Sequence, residues 1–223
     1  MSSSKLTTTI QDNKAFFLVY TLLLLVGLYP LLAWDKVTLL LMINDHHHPT
    51  LDRFFYYITN LGSGITYGLL MLTLLLRKVA NRKLLIGAAS FVAMSFIVQF
   101  LKRIIFPGQL RPIELVPDPS QLHLVDHVAM LSRLSFPSGH AATIFAAACF
   151  LNLIAPSKNT WYSILLLLIA TVVAYSRIYL CQHFYTDVYV GTLIGGWTTL
   201  FVYTWLIDRP VPAWLAKRLP IEL

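Results

Sequence analysis

Apolar stretches long enough to cross a lipid bilayer recur along this chain, and three clusters of polar and ionisable residues stand between them. The first stretch, Ala15–Trp34, is 20 residues long. At ~1.5 Å per residue that length matches a hydrocarbon core of ~30 Å. Further stretches lie at approximately 58–76, 84–102, 141–155, 161–178 and 188–207. The chain is 57% hydrophobic and only 12% charged, whereas soluble domains carry ~25% charged residues. Inside lipid every backbone polar group must be satisfied within the protein, and helices do this segment by segment. The expectation is an all-α, six-transmembrane-helix bundle forming one domain over residues 1–223. Its core is about 15–207, and 1–14 and 208–223 are cytoplasmic tails. Ala15–Trp34 is expected to remain as a helix, because it ends in Tyr29-Pro30-Leu31-Leu32-Ala33-Trp34 and a cleaved signal would be shorter and end in small residues. The stretches 141–155 and 161–178 are short, so their neighbouring polar turns must lie inside the fold.

Charge orients the bundle. Lys5 and Lys14 precede the first span; Arg77, Lys78, Arg82 and Lys83 fill the turn between the second and third; Lys158 lies between the fourth and fifth; Arg209, Lys217 and Arg218 follow the sixth. All fall on one side, which the excess of lysine and arginine in cytoplasmic loops makes the inside. The opposite, outer face then holds 35–57, 103–140 and 179–187. Residues 45–57, with Phe54, Phe55, Tyr56 and Tyr57, suit a short amphipathic segment at the headgroup level. Lys102, Arg103, Arg111 and Arg133 lie at the outer face against the charge rule, which points to a ligand. The net charge of +7 is explained by topology, and no basic stripe interleaved with aromatics indicates nucleic-acid binding. Cys149 and Cys181 read as free, buried small hydrophobes.

The polar clusters are Lys102 with Arg111-Pro112, then Pro137-Ser138-Gly139-His140, then Ser176-Arg177 followed by His183 and Asp187. Ionisable groups beside membrane helices are costly and mark function by default. His183 and Asp187 are four apart, so on a helix they share a face and the carboxylate can fix the imidazole tautomer. The other ring nitrogen is then available as a nucleophile. Arg177 can grip two phosphate oxygens with its planar fork; the alternative is a buried Arg177–Asp187 ion pair. Ser138, Gly139 and His140 open the fourth span, where helix-terminal amides suit phosphate and His140 can protonate a leaving oxygen. Ser138 also fits an ordinary N-cap. Lys102 also fits a snorkelling anchor, and Arg111-Pro112 a plain loop turn.

Together the three clusters resemble the signature of the type 2 phosphatidic acid phosphatase (PAP2) superfamily. The second and third parts match in full. The first departs: the family pattern has six residues between Lys and Arg-Pro, and here eight separate Lys102 from Arg111, or seven if Arg103 fills the lysine role. Lys102 is favoured. The resemblance implies a helical bundle with its catalytic loops at the outer membrane face. It implies phosphoester cleavage with no metal and no cofactor, through His183 as nucleophile, Asp187 orienting it and His140 as acid. Lys102, Arg111, Ser138, Gly139 and Arg177 bind phosphate in that scheme.

The implied partners are the bilayer and a lipid phosphate drawn from the outer leaflet of a bacterial inner membrane. Polyprenyl diphosphate such as undecaprenyl diphosphate is favoured over phosphatidylglycerol phosphate, phosphatidate and lipid A phosphates, because the compact chain resembles bacterial members. A phosphotransferase would use the same phosphohistidine with a different acceptor. A non-enzymatic phospholipid-binding or transport protein would need no His140, His183 or Asp187. Three further features need a reading. Asp45-His46-His47-His48 fits an interfacial loop better than a metal site, since consecutive histidines diverge on any regular element. His123 and His127 are candidate substrate contacts in the long loop 113–136. Gly191, Gly195 and Gly196 read as helix packing within the bundle.

Overall fold

In the computed structural model, residues 3–157 and 159–210 are described. The positions of Lys158, Lys217 and Arg218, and most of the tail expected at 208–223, lie outside that range. Among the described residues ten α-helices follow one another: α1 (Ser3–Asp12), α2 (Lys14–Ala33), α3 (Lys36–Asn44), α4 (Pro49–Ile58), α5 (Gly64–Leu76), α6 (Asn81–Phe100), α7 (Pro112–Leu115), α8 (Gly139–Ile154), α9 (Thr160–Tyr179) and α10 (Tyr185–Leu206). A π-helical turn, Leu101–Ile105, continues α6. Among the described residues three helices are long and apolar enough to cross a membrane, α2, α6 with its π turn, and α9, and the bent pair Pro49–Gly62 with α5 makes a fourth if it is one span.

The stretch expected as one span at 58–76 is broken. A 3-10 turn, Thr59–Gly62, continues α4, and α5 starts after Ser63 at an angle of 61° to it. Ser63 causes the break locally, since its hydroxyl accepts the Thr66 amide as an N-cap. The region 35–57 is also more ordered than a loop. Asp35 caps α3 through the amides of Val37 and Thr38, and His48 caps α4 by accepting from Thr50 at 3.2 Å, with Pro49 at the first helical position.

Helix α8 is the axle of the bundle and is buried nearly all round. Its 16 residues need not reach both lipid surfaces, because protein covers them. The Ala141 methyl and the backbone of Ala142 and Ala146 meet the glycines of α10. A Cβ on Gly191 would sit 2.5 Å from the Ser138 carbonyl oxygen, and one on Gly195 would sit 2.9 Å from the carbonyl carbon of Ala142. A Cβ on Gly196 would meet the Tyr20 ring, whose hydroxyl donates to the Thr192 carbonyl at 2.8 Å. These glycines are packing contacts within the bundle, where small residues let backbones approach.

One end of the bundle is held by polar links. Asn152 donates to Asn13 at 3.0 Å and accepts from Ser163 at 2.7 Å. Arg82 donates to the carbonyls of Leu206 and Arg209, Lys83 donates to that of Ile154, and Lys5 pairs with Asp208. Lys5, Arg82, Lys83 and Arg209, four of the basic residues expected on the cytoplasmic side, thus gather at this end. The other end carries the starts of α8 and α10 and the ends of α6 and α9.

Candidate active site

At that other end the three sequence clusters converge. Lys102, Arg111, Ser138, Arg177, His183 and Asp187 are all buried. In the first cluster the π turn directs Lys102 inward, where it donates to the carbonyls of Leu134 (2.6 Å) and Ser135 (3.2 Å), while Arg103 is exposed and bonds Gln99. Lys102 is within electrostatic reach of Arg111, Arg177 and Asp187. Arg111 donates to the carbonyls of Arg133 (3.0 Å) and Gln182 (2.9 Å). Burial draws its pKa down and Asp187 opposes this, but a guanidinium stays charged in proteins. Arg177 donates to Thr59 Oγ1 at 2.8 Å and reaches Gln182 Oε1 at 3.4 Å. Among the described residues it forms no ion pair with Asp187, contrary to the alternative reading of that pair, and its buried Nε has no acceptor.

The second cluster forms the start of α8. Ser138 is its N-cap, with Oγ 3.4 Å from the Ala141 amide, and its own amide donates to the Asp187 carbonyl at 2.8 Å. The amides of Gly139 and His140 have no acceptor within the helix. The space beside Gly139 is open apart from Val98 at 3.8 Å from a notional Cβ. His140 lies within reach of the charges of Arg177, Arg111 and Lys102.

The third cluster departs from the shared helix face expected for His183 and Asp187. His183 precedes α10, and Asp187 is the third residue inside it. The contact survives by another route. Asp187 Oδ2 accepts the Phe184 amide at 3.0 Å, which caps α10, and lies 3.4 Å from His183 Nδ1. Ser135 Oγ donates to the same oxygen. An ionised carboxylate only accepts, so Nδ1 carries the proton and Nε2 holds a lone pair. Burial pushes the His183 pKa down to about 3; Asp187 opposes this, and Arg111 and Arg177 reinforce it. Burial therefore favours the neutral ring, with its lone pair on Nε2.

Three participants were not anticipated. Ser135 stands two residues before Pro137. Thr59 comes from the turn after α4. Gln182 Oε1 bridges Arg111 and Arg177, and its Nε2 donates to the Ala129 carbonyl at 3.3 Å. Only Gln182 left a signal, as an amide directly before His183 in an apolar run. A cavity of 280 Å³ opens onto this centre, lined by His140, Arg177 and Gln182 together with Tyr56, Thr59 and His127. The triple histidine is elsewhere: His47 stacks on His123 with ring centroids 3.9 Å apart, and His123 Nε2 lies 3.0 Å from Asp52.

Three buried cations stand around His183 at one end of a bundle of apolar helices, the make-up of an integral membrane protein. Residues 83–210 match the PAP2 superfamily, more than half the chain, and the chain belongs to that superfamily. It is 31% identical over 194 residues to the lipid A 4'-phosphatase of Bacteroides thetaiotaomicron, covering 78% of this chain and 81% of that protein. It is 28% identical over 162 residues to the undecaprenyl-diphosphatase of Sulfolobus acidocaldarius, covering 73% and 74%. The crystal structure of Aquifex aeolicus LpxE superposes with a TM-score of 0.65 at 30% identity, over 76% of this chain and 96% of that one.

Proposed function

We propose that the protein is a metal-independent lipid phosphatase working through a phosphohistidine. One observation carries this reading. Lys102, Arg111 and Arg177 are buried with Asp187 as their carboxylate neighbour, leaving an excess of two positive charges where solvation is poor. Uncompensated buried charge is strongly unfavourable, and a phosphate dianion would neutralise it. The orphaned Arg177 Nε and the free amides of Gly139 and His140 supply further donors.

In the proposed reaction His183 Nε2 attacks phosphorus. The bond to the ester oxygen breaks, and that oxygen takes a proton from His140 as it leaves. Water, deprotonated by His140, then attacks phosphorus; the bond to His183 Nε2 breaks, its electron pair returns to the ring, and inorganic phosphate leaves. Asp187 stabilises the imidazolium formed in between. The negative charge of a bound phosphate dianion offsets the three neighbouring cations, so that His140 can carry the proton it donates.

The helix ends support the orientation. Lys5, Lys14, Arg77, Lys78, Arg82, Lys83 and Arg209 fall at the end of the bundle away from the site. If that end is cytoplasmic, the site faces the periplasm and draws substrate from the outer leaflet. Six crossings, α2, α5, α6, α8, α9 and α10, fit this arrangement, with α3 and α4 at the outer surface. The test is phosphate release from a panel of lipid phosphates by protein purified in EDTA. Release from at least one member is expected; release that strictly requires added zinc or magnesium would overturn the metal-free mechanism. The relatives' names span lipid A phosphates and undecaprenyl diphosphate, and a second cavity bears on that choice.

A further inference from the structure

Beside the site cavity lies a larger pocket of 510 Å³, within the ~300–1,000 Å³ typical of ligand sites. Two walls form it. Helix α4 contributes Arg53, Tyr56 and Tyr57, and the loop before α8 contributes Asp126 and His127. Tyr56 and His127 line both cavities, so the pocket adjoins the space where the phosphate would sit. The walls are fixed to each other and to α9. Asp52 accepts from the Tyr179 hydroxyl at 2.6 Å and meets His123 at 3.0 Å, while His47 stacks on His123. The backbone of His127 is held at φ 64. These contacts prearrange the pocket without using Arg53 or Asp126, whose side chains have no hydrogen-bond or ion-pair partner among the described residues.

The lining chemistry discriminates among occupants. A second phosphate needs donors alone, and the carboxylates of Asp52 and Asp126 would repel it. A hydrocarbon chain would pack on the tyrosine rings but leave the arginine, aspartates and histidine of the wall without a polar partner. A sugar hydroxyl both donates and accepts; Asp126 accepts, Arg53 donates, and the tyrosine hydroxyls do either. The rings of Tyr56 and Tyr57 offer flat apolar faces to the C–H side of a pyranose. We propose that this pocket is a subsite for the sugar ring of a glycolipid phosphate, placing a sugar hydroxyl as the leaving group at His140. The proposal rests on the lipid-phosphatase reading and selects within it a sugar-linked phosphate over a prenyl diphosphate.

The test compares binding and turnover for two probes with matched acyl chains: a glucosamine disaccharide lipid carrying one phosphate, and phosphatidate. Binding is measured on the full-length His183→Ala protein in nanodiscs, so it reads the subsite even if no turnover is found. Arg53→Ala/Asp126→Ala is expected to weaken the sugar lipid by about tenfold or more, the scale of one charged hydrogen bond lost, with phosphatidate changed less than twofold. Tyr57→Ala, on an exposed side chain, is expected to repeat the selectivity. Equal weakening of both probes, or none, would overturn the subsite. Absence of phosphate release from either probe by the unmutated enzyme, with selective binding retained, would instead defeat the phosphatase reading alone.

Discussion

Asp187→Asn isolates the charge at the centre of the proposed mechanism. Three donors converge on one oxygen, Asp187 Oδ2: the Ser135 hydroxyl, the Phe184 amide and His183 Nδ1. An asparagine whose amide oxygen takes that position keeps all three, so the cap of α10 and the His183 tautomer are retained and only the negative charge is lost. When His183 bonds phosphorus, its ring becomes cationic 3.4 Å from that oxygen. Two unit charges at this distance attract by about 5 kcal/mol at an effective dielectric of ~20. The amide dipole recovers about 1 kcal/mol, the scale of a neutral hydrogen bond. The net loss of ~4 kcal/mol corresponds to a fall in kcat of about 10³-fold. KM is not expected to rise, because removing the carboxylate leaves the phosphate facing three cations unopposed. The assay is single-turnover phosphate release alongside thermal unfolding in detergent. Activity within threefold of wild type, or a raised KM at unchanged kcat, would refute the role assigned to Asp187.

Three further outcomes are expected. His140→Ala is expected to slow alkyl phosphate hydrolysis by ~10²–10⁴-fold, the usual general-acid range, and to slow a diphosphate or aryl phosphate much less; equal losses across leaving groups would show that His140 binds phosphate without donating a proton. Gly195→Ala is expected to destabilise the protein by ~1–3 kcal/mol and to separate the starts of α8 and α10, whereas Gly68→Ala, with open space around its Cβ, is expected to be silent in both unfolding and activity. A cysteine at Asp118 is expected to react with an impermeant reagent in intact cells while one at Arg82 is protected, and the reverse pattern would invert the proposed orientation.

Much of this centre is legible in the sequence because its parts are punctuated by local chemistry. Ser138 is readable as a helix cap and proves to be one, and the glycine spacing at 191, 195 and 196 marks a close helix contact. The burial of Cys149 and Cys181, free as expected, follows from their apolar neighbours. What sequence spacing misses are contacts made by backbone direction. His183 and Asp187 meet through a helix cap and not along a helix face. The 58–76 stretch looks continuous in hydropathy, yet Ser63 offers the backbone an alternative acceptor and bends it. Ser135, Thr59 and Gln182 approach the cations from three separate segments, a convergence that no linear pattern encodes. Lys102 and Arg103 are adjacent and alike in charge, and only the π turn separates the inward side chain from the exposed one.

The central claim is that phosphate passes through His183. Protein turning over a ³²P-labelled lipid phosphate in EDTA, quenched rapidly in alkali, is predicted to carry alkali-stable, acid-labile label mapping to His183, and His183→Ala is predicted to carry none and to release no phosphate. Label on another residue, or phosphate release by His183→Ala at a rate near wild type, would contradict the account.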